Sequence, residues 1–495
     1  MKRSKYSLSH YRLSTFNMGQ LVPVGCFEVL PGDTIQHATS CLIRVTPLLT
    51  PVMHPVRVRI HHWFVPYRLV WDQWEEFITG GPQGSSTPTM PTHNFSTAST
   101  GFKSLYDYMG ASPRSDGSAP ALAFNALPVR AYNLIYNEFY RDQDLTPEVN
   151  VNNSVLVQNV AWEKDYFTTC RPWPQKGPQV TVPLSSQMAP VVPDAPNAAP
   201  FFKRTMGAAP EGTLGTVDAS TKPAINWLGG ISGNVDDNLR WGDPHLAADL
   251  SAASPDINAF RRAFAIQRYQ EARAQYGSRY TEYLRYLGVR SSDARLQRPE
   301  YLGGGKQTIA FSEVLQTGPD ANGDGVADLR GHGIAAMRSR RYRRFFEEHG
   351  VVLSLASVLP RTIYANEVPR MWLRRTKEDF WQRELQHIGQ QEVSNTEVYS
   401  DAGTAGMSSV FGYQDRYAEY RHIQSGVSGE FRTLLNDWHF ARIFAAQPVL
   451  NNSFVQANPA NRPFAEKTQD SLWCMFQHSI QARRMVTKST IGRLI

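Results

Sequence analysis

The sequence predicts a mainly β protein whose short strands are separated by long excursions, and three observations predict it. Val56, Val58, Ile60, His62 and Phe64 alternate with Arg57, Arg59, His61 and Trp63 between Pro55 and Pro66, the period of a strand with two distinct faces. Short β-branched or aliphatic runs at Cys26–Leu30, Cys41–Leu49, Val180–Val182 and Val351–Val358 close on Pro or Gly. Tens to hundreds of residues lie between these runs, so the connections are large loops, and 35 Gly and 32 Pro supply their turns.

Two excursions carry a helical pattern. Val70, Trp74 and Phe77 share one face of a helix over Val70–Ile78 that stops at Gly80-Gly81. Ser254 reads as an N-cap with Pro255 at the first helical position, and Ile257, Phe260 and Phe264 form a stripe running on towards Gly277. A second helix over 279–287 would end at Gly288. From Pro183 to Pro255 the composition shifts to Pro, Ala, Gly, Ser and Thr, which does not easily build a core of its own.

The 495 residues allow about two to four domains, or one β-sandwich with long insertions. At 41% hydrophobic and 19% charged, with 11 Trp, the chain is globular, not disordered or collagen-like. No apolar run reaches the length of a membrane span, and the polar sequence after Met1-Lys2-Arg3-Ser4-Lys5 has no signal-peptide core, so the reading is a soluble chain without membrane insertion. Cys26, Cys41, Cys170 and Cys474 lie too far apart for a paired zinc motif and read as buried free thiols.

Charge becomes informative once it is located. Lys2, Arg3, Lys5 and Arg12 precede the first acid, Glu28, and Arg483, Arg484, Lys488 and Arg493 follow the last, Asp470. Removing these eight from the 51 basic residues leaves 43 against 44 acids, a neutral body with two cationic ends. Such ends suit a polyanion, because phosphate binding is driven by cation contacts and counterion release; solvated tails are the alternative. A further basic run, Arg338, Arg340, Arg341, Arg343 and Arg344 around Tyr342 and before Phe345 and Phe346, has the composition of a single-strand nucleic-acid groove. It also suits an intersubunit surface paired with carboxylates such as Glu347 and Glu348.

Catalytic signatures are sparse. Gly303-Gly304-Gly305-Lys306 lacks the Ser or Thr of a phosphate loop and reads as a flexible turn. There is no HExxH, GxSxG or CxxC, and adjacent His61 and His62 point to opposite faces of a strand. Asp379, Glu384 and His387 are close in sequence and read as polar positions on an element's end. Asp320, Asn322, Asp324 and Asp328 reproduce the oxygen spacing of a calcium loop around Gly325, although Gly331 stands where an EF-hand needs a bidentate Glu. No cofactor is therefore required, and Ca2+ is the one ion whose ligand spacing is present.

Longer segments carry a resemblance. LSHYRLSTFNMGQLVPVGCFEVLPGDT (8–34), RIHHWFVPYRLVWDQWEEFITGG (59–81), YFTTCRPWPQKGP (166–178), SRYTEYLRYLGVRSSDARLQRPEYLGGG (278–305), EEHGVVLSLASV (347–358) and FGYQDRYAEYRHIQSGVSGEFR (411–432) resemble the major capsid proteins of Microviridae, in particular the gokushovirus-like branch. The resemblance implies one domain over 1–495, an eight-stranded antiparallel jelly-roll β-sandwich with long loop insertions and a few short helices. It implies sixty copies in a T=1 icosahedral shell around circular single-stranded DNA, assembled in the bacterial cytoplasm, alongside DNA pilot and small DNA-binding proteins. It assigns 184–255 to a variable insertion at the threefold axes that meets a host receptor. With it, the basic termini 1–27 and 471–495 would face DNA through Lys2, Arg3, Lys5, Arg12, Arg483, Arg484, Lys488 and Arg493. The competing class is a calcium-dependent carbohydrate-binding jelly-roll lectin, which would be expected to show a signal peptide or disulfides.

Overall fold

The computed structural model describes residues 3–93, 101–112, 123–181, 257–276, 279–315, 317 and 329–486, with the backbone of six short strands between 191 and 248. It divides into a body, Met1–Lys176 with Glu271–Ile495, and an inserted unit, Gly177–Gln270.

The body is built on two antiparallel sheets. The seven-stranded sheet runs Ser4–Ser7, Leu472–Arg484, Thr34–Val45, Leu329–Arg338, Ala310–Leu315; His10–Phe16 also pairs with Leu472–Arg484, and Tyr342–Phe345 with Thr34–Val45. The four-stranded sheet runs Glu300–Thr308, Val56–Pro66, Gly350–Pro360, Val22–Val29. Taking 329–345 as one interrupted strand and setting aside the two N-terminal strands leaves four long strands in each sheet. The sheets share a core of Phe16, Ile43, Val58, Ile60, Val358 and Phe476, as expected of facing layers whose strands alternate inward and outward.

The four-stranded sheet is covered on its second face as well. The 13-residue helix Leu127–Phe139, which sequence reading did not find, packs Leu127, Tyr132, Ile135 and Tyr136 into one cluster with Trp63, Val65, Val351, Leu353 and Leu355. Burial on both faces explains why every residue of Gly350–Pro360 is buried and why that segment, apart from Ser354 and Ser357, is apolar instead of alternating. A third cluster, around Phe167, Tyr364, Phe411 and Phe454, supports the loops after Pro360.

The other local readings resolve case by case. Val56–Pro66 forms as the alternation predicts, His61 reaching Tyr140 on one face and His62 lying buried on the other. The helix after Val70 is shorter, Trp74–Thr79, and stops on Gly80 in the left-handed conformation. Helices at Ile257–Tyr276 and Tyr280–Tyr286 are present; Ser254 and Pro255 lie outside the described residues. Val180 and Thr181 form no strand.

The triple glycine is a correction: it is strand, not turn. Gly303, Gly304 and Gly305 pair with His62, His61 and Ile60, next to a bulge at Tyr301/Gly303. A Cβ on Gly304 would stand 2.3 Å from the Ile60 carbonyl oxygen, and one on Gly305 3.0 Å from Met337 and Ser339. The glycines permit close approach of backbones.

Between the sheets lies a buried polar seam. His478 Nε2 lies 2.8 Å from the Val24 carbonyl oxygen, a pure acceptor, so Nε2 carries the proton and Nδ1 accepts from Thr39 Oγ1 at 2.9 Å. His37 lies between His478 and Tyr342, and His62 bonds Ser354 at 2.8 Å and Ser339 at 3.0 Å. Burial, reinforced by neighbouring imidazoles, pushes His37 down to about 2 and His62 to about 3, and burial takes His478 to about 4. All three are neutral hydrogen-bonding groups at neutral pH.

The inserted unit contains the 184–255 segment. Its strands form a four-stranded antiparallel sheet, in order Ile225–Trp227, Gly212–Thr216, Phe201–Arg204, Leu239–Trp241, and a pair, Val191–Pro193 with Leu246–Ala248.

Candidate nucleic-acid interface

The outward face of the seven-stranded sheet follows from its register. Leu472–Arg484 buries alternate residues from Leu472 to Ala482 and turns Trp473, Met475, Gln477, Ser479, Gln481 and Arg483 away from the core. Cross-strand partners then form rows. Lys5, Arg483, Thr34 and Phe345 make one; Ser7, Gln481, Gln36 and Arg343 the next. Further along come Tyr11, Gln477, Ser40 and Arg338, then Leu13, Met475, Leu42 and Ala336. Thr15, Trp473, Arg44 and Ile334 make a fifth row, beyond which the face continues onto Ala310–Leu315.

These five rows contain Lys5, Arg44, Arg338, Arg343 and Arg483 and no Asp or Glu. All five cations are exposed, and none makes an ion pair among the described residues. Arg3 joins them, its guanidinium 5.0 Å from the Phe345 ring centroid and bonded to Thr34 Oγ1 at 3.3 Å. Aromatic and apolar side chains lie between the charges: Tyr11 is 67% exposed, Leu13 79% and Trp473 40%. Uncompensated cations interleaved with open ring faces can meet phosphates and stack bases without reading sequence.

The predicted terminal cations are divided by strand parity. Arg3, Lys5 and Arg483 reach this face. Arg12 turns the other way, half-buried, with its guanidinium against the backbone of Asp107 and Gly110. Arg484 also turns away, pairing with Asp33 at 2.9 Å and donating to the Glu28 carbonyl at 2.6 Å. Lys2, Lys488 and Arg493 lie outside the described residues. Arg44 was missed by sequence reading because it stands alone in an apolar run, and only strand pairing places it beside Trp473.

The arginine run is divided in the same way. Arg338 and Arg343 belong to the face, whereas Arg344 pairs at 2.6 Å with Glu300, not with Glu347 or Glu348. Glu348 is engaged by Arg68 at 2.5 Å.

Among the described residues, the other candidates form no metal-holding group. Asp379 accepts backbone N–H bonds from Arg375 and Thr376, capping a turn, while Glu384 and His387 are exposed. Asp320, Asn322, Asp324 and Asp328 lie outside the described residues, and among the described ones no group of three His, Cys, Asp or Glu could hold a metal ion. All four cysteines are free thiols, and among the described residues no helix is long and apolar enough to cross a membrane.

Comparison with known proteins identifies the family. A family model described as capsid protein (F protein) matches residues 1–492. The chain is 35% identical to capsid protein VP1 of Bdellovibrio phage phiMH2K, over 99% of this chain and 96% of that one. It is 31% identical to capsid protein VP1 of Chlamydia phage 1, over 98% and 94%. Against capsid protein VP1 of Spiroplasma virus 4 the identity is 29% over 95% and 90%. Nothing in these matches supports the lectin alternative. An antiparallel sandwich with long insertions, matched end to end by phage capsid proteins, belongs to the Microviridae capsid (F protein) family, a structural and non-enzymatic component of the virion.

Proposed function

We propose that the outward face of the seven-stranded sheet is the surface that packages DNA. In this reading sixty copies close a T=1 shell around a circular single strand, which lies across the Lys5–Arg483 and Arg338 rows. The observation that carries it is a set of five cross-strand rows with five exposed cations and no carboxylate on a chain whose body is close to neutral. Binding would be sequence-tolerant, by phosphate contact and stacking on Phe345, Tyr11 and Trp473. Pilot and small DNA-binding phage proteins would share the enclosed strand, and the 184–255 segment would meet the host receptor.

The reading is tested by electron microscopy, nuclease protection and ultraviolet cross-linking on particles from an expressing cell. Closed particles holding protected DNA, with nucleotide adducts on peptides containing Tyr11, Phe345 or Trp473, are the expected result. Adducts confined to peptides from other faces would place the DNA elsewhere.

A further inference from the structure

The loops after Pro360 carry a group of open rings: Phe380 is 52% exposed, Trp381 51% and Tyr420 50%. They form one patch around Arg374, whose guanidinium lies 4.3 Å from the Tyr420 centroid and 5.4 Å from that of Phe380. The Trp381 backbone N–H donates to the Tyr420 hydroxyl at 3.3 Å. Trp372, 73% exposed, and Met371, 62%, stand on the turn Arg370–Trp372 just before Arg374 in the chain. At about 150–250 Å² per aromatic side chain, the three clustered rings leave about 300 Å² open and Trp372 adds roughly 150–200 Å². The largest apolar patch on a monomer is typically about 300–600 Å² and is often a contact site.

The rings are held open by the fold. Asp379 accepts backbone N–H bonds from Arg375 at 2.9 Å and Thr376 at 2.8 Å. The Tyr417 hydroxyl accepts from the Gln382 N–H at 3.2 Å and donates to the Phe380 carbonyl at 3.1 Å, and Arg374 pairs with Glu419 at 3.2 Å. Rings fixed in this way lose little freedom when a partner covers them. The surrounding charge indicates which partner. Arg375, Lys377 and Arg383 are interleaved with Glu378, Asp379 and Glu384, three cations against three carboxylates in ten residues. A phosphate backbone would meet those carboxylates, unlike on the cationic rows, and Arg374 is already neutralised by Glu419. A mixed-sign rim can instead be answered by a second copy of itself, cation to carboxylate, as a self-complementary contact requires. Rings and an arginine inside a charged rim are also the composition of a protein–protein contact, and a stable one covers about 800 Å² per partner, rim included.

We propose that this patch is a contact between copies of the chain, in which the rings of one copy pack against the same patch of a second. Trp372, Phe380, Trp381 and Tyr420 form its dry core, and Lys377 and Arg383 of each copy face Glu378 and Glu384 of the other. The proposal rests on the chain being a capsid protein and is independent of where the DNA lies.

The test compares the full-length chain free and in closed particles by hydroxyl-radical footprinting. Trp372 and Trp381 should be oxidised at least tenfold more slowly in particles than in the free chain. Particles grown from a mixture of ordinary and nitrogen-15 chains are then treated with a carbodiimide, which joins an amine to a carboxylate in contact with it. Mixed-isotope links from Lys377 to Glu378 or Glu384 are expected. Trp372→Ser with Trp381→Ser should lower the yield of closed particles at least tenfold while leaving the unfolding midpoint of the free chain unchanged, and Trp372→Phe with Trp381→Phe should restore the yield. Equal oxidation in both states would overturn the proposal, because the rings would then stay open in the shell. So would protection with no mixed-isotope link at Lys377, or with links or adducts to DNA, to another phage protein or to a different segment of the second copy, since another occupant would then cover the rings.

Discussion

The buried histidine seam makes acid stability a quantitative prediction. His37, His62 and His478 stay neutral in the folded chain down to about 2, 3 and 4, whereas each unfolded imidazole takes up its proton at 6.5. The unfolded chain therefore binds more protons below pH 6.5, so the contribution is complete above that value and is lost as pH falls towards the folded values. Each group withdraws about 1.4 kcal/mol per pH unit, so the three together withdraw about 4 at pH 5.5 and about 8 at pH 4.5. Against a stability of about 5–15 kcal/mol, this withdrawal unfolds a domain at the low end of the range and leaves about 7 kcal/mol at the high end. The assay is urea unfolding of the unassembled chain, followed by tryptophan fluorescence, between pH 5 and 8. His62→Gln keeps a hydrogen-bonding group beside Ser354 and Ser339 but does not titrate, so the slope of stability against pH should fall by about 1.4 kcal/mol per unit. An unchanged slope would refute the seam as the origin of the acid sensitivity.

Four further outcomes follow from the packing and the sequence. Gly304→Ala drives a Cβ into the Ile60 carbonyl and should cost about 1–3 kcal/mol, read as a lower unfolding midpoint. Phe476→Ala, at a fully buried position between the sheets, should cost about 3–5 kcal/mol in the same measurement. Deleting part of 191–220 should leave assembly intact and impair adsorption to host cells; failure to assemble would make the segment a brace. If the Asp320–Asp328 loop takes calcium, titration calorimetry will show saturable heat that Asp324→Asn reduces, and a flat titration would make it a surface turn.

The parts of this fold legible in the sequence are those where one local period dominates. Val56–Pro66 alternates because one of its faces meets the other sheet and the other carries His61 and Arg59 towards loops, so a period of two survives. The helix Leu127–Phe139 was not legible, because its tyrosines and asparagines are buried by contacts made far along the chain; Tyr132 donates to the Leu21 carbonyl and Asn133 to those of Val151 and Ser154. The glycine strand at 303–305 looked like a turn because glycine signals freedom locally, whereas its reason is the nearness of another backbone. The cationic face was half legible. Charge along the chain marked both ends and the arginine run, but which cations share a surface depends on strand parity, which excludes Arg12 and Arg484 and brings in Arg44.

The central claim is that the outward face of the seven-stranded sheet holds single-stranded DNA through its unpaired cations. The most direct measurement is the salt dependence of oligothymidylate binding by the unassembled chain and by a variant with Lys5, Arg338, Arg343 and Arg483 changed to Gln. Each lost phosphate contact on a single strand should reduce the slope of log affinity against log salt by about 0.7, so the four together should remove about 3 units. That loss, with the unfolding midpoint unchanged, is the predicted result; an unchanged slope would contradict the account.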